Sequence, residues 1–173
     1  MKKIIAILVP LFILLSLPLM SYAKDTQNDQ VLAVLLAKGA SIQATDKANT
    51  FKLKLRGVNS KVIYFSSSPK RVSGQVTLST FIKQWTDKNG SFAKNAPNAV
   101  MQAVKINPHM NKLADSENSY AIVLSNPVIS ATKGNMTFDI QSLPGNTKLM
   151  PLHESDYVAI FIDGVCLSCI GVQ

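Results

Sequence analysis

The feature that most constrains the fold is a six-residue segment in which apolar and basic side chains alternate, Phe51-Lys-Leu-Lys-Leu-Arg56. Successive side chains of an extended chain point to opposite faces. The segment therefore predicts a strand with three apolar side chains on one face and Lys52, Lys54 and Arg56 on the other. Residues Gly57 to Ser60 predict a turn into a second strand over 62–66, giving an antiparallel hairpin.

Other short segments carry similar patterns and are separated by turns rich in proline and glycine. Residues 136–140 alternate again, and residues 31–36 form a continuous apolar run that favours a buried strand, with a short helix as the alternative. Residues 157–162 are apolar on both faces, which predicts a central strand. In all we expect seven or eight strands and one short helix, which predicts a mainly β fold, an antiparallel β-sandwich.

The one segment that predicts a helix follows Thr77, which suits an N-cap. The next positions carry apolar side chains at 78, 81, 82 and 85, which share one face of a helix about nine residues long. Such a short helix is unstable alone, so we expect it to plug an open end or face of the sheet. We expect Trp85 to pack in the core; the alternative is an exposed platform for stacking a sugar ring.

The first 23 residues predict a cleaved signal peptide. Lys2 and Lys3 precede an apolar run that ends at a small-x-small motif, Ser21-Tyr22-Ala23. Residues 24–30 predict a flexible leader and residues 31–173 a single domain. We therefore expect an exported protein, periplasmic or extracellular, with no transmembrane segment after cleavage.

The charge balance favours anionic partners. The chain has a net charge of +8, and loss of Lys2 and Lys3 leaves the mature chain at +6. An anionic polysaccharide, a lipid headgroup or a protein surface fits this charge, whereas nucleic acid does not, because the basic residues are dispersed and no nucleic-acid motif accompanies them. The binding residues we expect are those of the basic strand face and two basic residues nearby: Lys52, Lys54, Arg56, Lys70 and Arg71. The alternative is that this is an ordinary solvated sheet face.

Few side chains suggest chemistry beyond binding. Cys166 and Cys169 predict a structural disulfide, provided that the chain turns between them; redox activity or metal binding are the alternatives. His109 and His153 lie in proline-containing loops and fit no catalytic or metal motif. We expect no catalytic residue, metal ion or cofactor.

Several residues together resemble a family of small bacterial proteins of unassigned function. The resemblance spans about residues 62 to 163, and its motifs are Tyr64-Phe65-Ser66 with Pro69 and Arg71, Phe81 with Trp85, Ser91-Phe92-Ala93, Pro97-Asn98-Ala99, Leu124-x-x-Pro127, Thr137-Phe138-Asp139-Ile140 and Ala159-Ile160-Phe161-Ile162-Asp163. The resemblance implies a β-sandwich and brings no activity with it. Two features depart from the family pattern: Ala96 replaces a proline, and the tail carries two cysteines.

The sequence thus predicts a secreted, non-catalytic binding protein. One alternative is a small extracellular hydrolase in which Asp139 and Asp163 form a carboxylate pair, or in which a loop histidine acts. Another is an assembly component of the cell envelope. A cleft with paired acids favours the hydrolase, and a basic surface favours binding.

Overall fold

The structure is a computed structural model that describes residues 30–66, 71–107, 112–113, 118–130, 134–144, 149 and 151–171. The predicted signal peptide and almost all of the predicted leader lie outside these residues, as do Lys70 and His109. Within them lie twelve strands and one α-helix. The strands are β1 (Gln30–Ala37), β2 (Gly39–Ala44), β3 (Phe51–Arg56), β4 (Lys61–Phe65), β5 (Ser73–Thr77), β6 (Asn98–Val104), β7 (Ile106–Asn107), β8 (Lys112–Leu113), β9 (Asn118–Ile129), β10 (Met136–Ser142), β11 (Leu152–Ser155) and β12 (Tyr157–Cys166).

The helix, α1, spans Leu78–Thr86, and a 3-10 turn at Ser168–Ile170 follows β12. The prediction of a mainly β, antiparallel fold with a short helix is confirmed. The strands are more numerous than the seven or eight expected, because several long extended segments are interrupted by bends. A helix that spans a bilayer would need to be longer and more apolar than any in the described part of the chain.

Ten of the strands form one antiparallel sheet, in the order β11-β2-β3-β10-β9-β6-β12-β1-β4-β5, and β7 pairs with β8 separately. Lys38 alone separates β1 from β2 along the chain, yet five strands lie between them in the sheet order. The run from β2 to β1 therefore returns to its starting point, and the sheet curls around one core. One curled sheet takes the place of the two sheets expected; both arrangements bury one face of each strand, so side-chain alternation does not distinguish them.

The hairpin predicted at Gly57 to Ser60 is wrong. β3 pairs with β2 and β10, whereas β4 pairs with β1 and β5. Gly57, at a φ of 59°, bends the chain without reversing it, so the segment from β3 to β4 runs beside the segment from β1 to β2. The N–H of buried Val58 donates to the carbonyl of Gly134 at 2.7 Å, which ties this bend to the turn that precedes β10.

The core lies inside the curled sheet. Alternate residues of β1, β6, β10 and β12 are buried, and the intervening residues face outward. The largest fully buried side chains are Phe81, Phe138, Leu35, Ile42, Leu53, Leu55, Met101, Ile122, Leu124, Met136, Ile140 and Ile160.

The helix α1 starts after Thr77 and is nine residues long, as the sequence predicts. The hydroxyl of Thr77 accepts a hydrogen bond from the N–H of Thr80 at 3.2 Å, which caps the first turn. Phe81 and Ile82 are buried and belong to the core cluster. Each side chain of this size contributes about 1.5 to 3 kcal/mol on burial, so contact with the sheet stabilises a helix that would not form alone.

Trp85 belongs to the same packing. Its ring centroid lies 5.5 Å from that of Phe81, 4.6 Å from that of Phe92 and 5.8 Å from that of Phe138. Its indole N–H donates to the carbonyl of Leu124 at 3.1 Å, which satisfies the one polar group of the ring. Part of the side chain remains accessible, since Trp85 is only partly buried.

A buried polar network joins α1 to the C-terminal turn. Gln84 is 1% exposed; its Oε1 accepts from the N–H and the hydroxyl of Ser91, at 3.3 and 2.7 Å, and its Nε2 donates to the carbonyl of Cys169 at 3.2 Å. Ser91 Oγ in turn accepts from the N–H of Cys166 at 3.0 Å. A disulfide joins Cys166 and Cys169, whose Cα atoms are 5.2 Å apart, because the chain turns at Leu167.

Candidate binding site

The basic face of β3 is exposed, but part of its charge is matched by acids on other strands. Lys52 pairs with Asp139 on β10, and Arg56 pairs with Glu154 on β11. Lys54 is exposed and lies between Ser41 of β2 and Thr137 of β10 in the register. The exterior of these strands is therefore a mixed polar surface, less basic than β3 alone suggests.

Arg71 does not join this surface. The N–H of Ser66 donates to the carbonyl of Val72 at 2.9 Å, so Arg71 lies beyond the end of β4 that is farther from β3. Lys70 lies outside the described residues. The four predicted binding residues that the structure describes thus separate into the β3 group and a distant Arg71.

A groove crosses the exterior beside Lys52, with a volume of about 410 Å³. We call it the polar groove; its lining residues are Thr45, Asp46, Lys47, Thr50, Lys52, Ser125, Asn126, Asp139 and Gln141. Its walls come from the turn between β2 and β3, from β9 and from β10. Three segments that are distant in the chain therefore place hydroxyl, amide, amine and carboxylate groups around one opening.

Asp139 lies at the centre of the polar groove. Its carboxylate is paired with the Lys52 ammonium and accepts a hydrogen bond from the Asn126 amide at 2.8 Å. These hydrogen bonds, that from Lys52 first and that from Asn126 second, lower the pKa of Asp139 below its ordinary value. The group is therefore an ionised acceptor at neutral pH and holds no proton to donate.

Asn126 is placed by an irregularity in β9. Its φ is 49°, and the pairing between β9 and β10 shifts register next to it. Asparagine tolerates this left-handed conformation better than most residues, and Pro127, which follows it, lacks a backbone donor. Such a bulge redirects a side chain, and here it aims the amide of Asn126 at Asp139.

The rim of the groove is ordered by its own hydrogen bonds. The hydroxyl of Thr45 donates to the carbonyl of Thr50 at 2.7 Å, and Nε2 of Gln141 donates to the hydroxyl of Thr50 at 3.3 Å. The turn between β2 and β3 is thereby attached to β10. The donor and acceptor positions are set before any ligand binds.

A second cleft adjoins the polar groove and shares Ser125 and Asn126 with it. This aromatic cleft has a volume of about 470 Å³. Its other lining residues are Trp85, Thr86, Phe92, Ala93, Lys94, Ala96, Pro127 and Val128. The accessible part of Trp85 therefore lies beside a polar surface although the ring is packed on the core.

The two acids of the predicted carboxylate pair, Asp139 and Asp163, lie apart. Asp139 lies on β10 and Asp163 on β12, with β9 and β6 between them in the sheet order, and no described cavity is lined by both. His153 lies within β11 and not in the loop that the sequence suggests, because residues 152–155 pair with β2. Among the described residues, His, Cys, Asp and Glu form no group that would hold a metal ion.

Comparison with known proteins leaves the chain without a close match. No protein-family model, curated protein or solved structure matches it. The resemblance to small bacterial proteins of unassigned function stays a prediction, and many of its positions, among them Phe81, Phe92 and Phe138, are buried in the core. The residue types at those positions are explained by packing in the core and do not indicate a shared activity.

Most residues of the polar groove, among them Lys47, Gln141 and Asn126, are absent from the sequence prediction. Asn126 is the one with a recognisable sequence signal. The available signal is the dipeptide Asn126-Pro127, which often marks a turn or an irregular backbone. Nothing local connects it to Asp139, since the contact depends on the pairing of β9 with β10.

Proposed function

We propose that this protein is an exported, non-catalytic binding protein whose ligand is an anionic glycan held in the polar groove. The observation that carries the proposal is the network of Lys52, Asp139 and Asn126 at the centre of the groove. The network is fixed by the fold and remains partly accessible, with side-chain exposures of 37% for Lys52 and 25% for Asp139. Preorganised polar groups reduce the entropic cost of binding a polar ligand.

The chemistry of the groove matches a polyhydroxylated ligand. The Asp139 carboxylate accepts hydrogen bonds from sugar hydroxyl groups, and amides such as that of Gln141 both donate and accept. The ammonium groups of Lys47 and Lys52 donate to a carboxylate or sulfate group on the ligand. The aromatic cleft extends the same surface and is lined in part by Trp85 and Phe92, which offer apolar contact to a sugar ring.

Binding is better supported than hydrolysis by the protonation state of Asp139. A general acid for glycoside cleavage needs a raised pKa, whereas the pKa of Asp139 is lowered by Lys52 and Asn126. Glycosidases also place two carboxyl groups within about 10 Å of each other, whereas two strands, β9 and β6, lie between β10 and the strand that carries Asp163.

Export is part of the proposal and follows from the signal peptide predicted in residues 1–23. Such a protein meets acidic polysaccharides in the periplasm or outside the cell. Anionic lipid headgroups and acidic protein surfaces are the other partners that the charge favours, and vesicles and an acidic protein form separate arms of the test.

The test compares binding of the exported, processed protein to acidic and neutral polysaccharides, to anionic vesicles and to an acidic protein. We expect binding to the acidic polysaccharide that weakens with rising salt. Lys52→Gln removes the ammonium and leaves Asp139 without its main partner, so affinity should fall by about tenfold or more, as for loss of a charge-assisted bond. Lys61→Gln changes an exposed lysine of β4 outside the groove and serves as the matched control.

Lys54→Glu separates the groove from the neighbouring basic face. If Lys54→Glu lowers the affinity as much as Lys52→Gln does, the binding surface extends from the groove along β3. If the affinity is unchanged, the ligand binds in the groove alone. If no acidic polysaccharide binds, or if Lys52→Gln and Lys61→Gln behave alike, the proposal is wrong.

A further inference from the structure

The exterior of the curled sheet has two chemically different halves. On β2, β3 and β10 the outward residues are polar or charged, as expected for a solvated face. On β4, β1, β12 and β6 the outward residues are largely apolar, and they form a continuous cross-strand row. In register, this row is Ile63, Val34, Phe161 and Val100, with Ala121 of β9 next to it.

This apolar face extends to the rows on either side. The outward residues of the neighbouring rows include Leu32, Leu36, Phe65, Ala159, Val104 and Tyr157. Four of the large apolar side chains on the face are well exposed: Ile63 at 40%, Phe65 at 42%, Val100 at 44% and Tyr157 at 57%. Polar residues border it, with Gln75 on one side and both Gln102 of β6 and its neighbour Ser119 on the other. An apolar centre with a polar rim is the anatomy of a protein interface.

The two ends of the apolar face carry opposite charges. Lys38 lies beside Tyr157 at one end, and Asp163 lies six residues along β12 at the other, about 20 Å away for an extended chain. The Lys38 stem lies over Gly57, where an added Cβ would meet it at 2.9 Å. The carboxylate of Asp163 accepts from the N–H of Gly164 at 2.8 Å. Both charged groups are exposed. The contact with Gly57 positions Lys38, and the hydrogen bond from Gly164 positions Asp163.

The two ends of the apolar face also have complementary shapes. At the Lys38 end a groove of about 370 Å³ is lined by Leu36, Lys38, Gly57, Asn59, Val104 and Tyr157, among others. At the opposite end Phe65 projects from the same extended segment, residues 51–65, that carries Gly57 and Asn59. A concave end and a protruding aromatic end on one surface fit an isologous pairing.

We propose that the partner of this face is a second copy of the chain, packed face to face about a two-fold axis perpendicular to the strands. That axis reverses the strand direction, so Lys38 of one copy lies opposite Asp163 of the other, and the ion pair forms twice. It also brings Phe65 of each copy over the groove of its partner. Sheets packed face to face lie about 10 Å apart, a gap that a lysine and an aspartate side chain can bridge.

The size of the face sets the expected strength of the dimer. Four strands about 4.8 Å apart and about 20 Å long give a flat footprint of roughly 400 Å² per copy. The total of roughly 800 Å² for two copies is below the roughly 1,200 to 2,000 Å² that specific, stable interfaces bury, and it is in the range of weak, transient contacts. We therefore expect a reversible dimer with a dissociation constant in the micromolar range, populated at high protein concentration.

The experiment is sedimentation equilibrium of the exported, processed protein over a concentration range of about 1 to 300 µM. We expect a monomer–dimer equilibrium. Val100→Lys places a charge in the central row of the face and should yield a monomer throughout, while Val128→Lys, at an exposed valine outside the face, should leave the equilibrium unchanged. Circular dichroism confirms that both variants are folded.

A charge exchange keeps the test decisive whatever Val100→Lys does to folding. Lys38→Glu and Asp163→Lys should each weaken the dimer by tenfold or more, and the double variant should restore most of the affinity. A protein that stays monomeric at the highest concentration overturns the proposal, and so does a double variant no stronger than the single ones. These outcomes are independent of glycan binding, since the polar groove lies on β3, β9 and β10.

Discussion

The buried side chain of Gln84 holds α1 and the C-terminal turn together, and Gln84→Leu removes that connection. Leucine is apolar and one bond shorter, and it cannot form the two hydrogen bonds that Gln84 accepts from Ser91 or the one that it donates to Cys169. Three lost hydrogen bonds at about 1 kcal/mol each give about 3 kcal/mol. The greater apolarity of leucine offsets about 1 kcal/mol, so we expect a net loss of about 2 kcal/mol in the free energy of unfolding.

The assay is urea unfolding followed by the fluorescence of Trp85, the only tryptophan in the chain. Trp85 is next to Gln84 in α1, so its emission reports on the undocking of this helix. The matched control is Gln75→Leu, the same substitution at an exposed position of β5, which should change the free energy by less than about 0.5 kcal/mol.

A third variant, Gln84→Glu, separates the two parts of the network. The carboxylate retains an acceptor for Ser91 but brings a negative charge to the Cys169 carbonyl in place of the Nε2 donor. We expect its stability to lie below that of the wild type and to recover in part as the pH falls and the carboxyl group becomes protonated. If Gln84→Leu costs no more than Gln75→Leu, the network does not stabilise the fold and this reasoning fails.

Three further predictions concern the groove, the helix and the disulfide. The folded-state pKa of Asp139 is lowered, so its contribution to stability is complete above the ordinary value of 3.8 and is lost at lower pH. In thermal melts, the stability difference between the wild type and Asp139→Asn should therefore be constant from about pH 7 to 5 and shrink below about pH 4. Trp85→Phe loses the hydrogen bond to Leu124 and part of the ring packing, and should lower the unfolding free energy by about 2 kcal/mol in urea; no change would contradict the packing role. Replacing Cys166 and Cys169 by serine opens a loop of about four residues, so chemical denaturation should show a loss of about 2 kcal/mol that vanishes when both proteins are measured under reducing conditions.

Elements whose signal is local could be predicted from the sequence. The alternation in residues 51–56 and the N-cap at Thr77 each depend only on residues that are close together in the chain. They predict a strand and a helix, and both elements, β3 and α1, form as expected. The apolar run at 157–162 is central in the sheet, between β6 and β1. Its outward side chains nevertheless stay partly exposed. The apolar pattern could not predict this, since it does not indicate whether the second apolar face of a strand packs against another element of the same chain.

Features that depend on pairing between distant strands could not be predicted. The acids that neutralise Lys52 and Arg56 come from β10 and β11, and periodicity gives no information about which strand will lie alongside β3. The same is true of Asn126, whose role appears only when β9 pairs with β10. The false hairpin has the related cause that Gly57 permits either a reversal or a bend, and local sequence does not decide between them.

The pairing of β1 with β12 also has a consequence for how the chain reaches its native state. The first strand of the sheet lies against the last, with Gln30 opposite Cys166, so the sheet cannot curl around its core until the C-terminal residues have been synthesised. Contacts between such distant residues carry a large loop-closure entropy and slow folding. Until then the apolar strands are open to aggregation. We therefore expect refolding to be slow for a chain of this length, and a truncation that removes β12 to leave no folded domain.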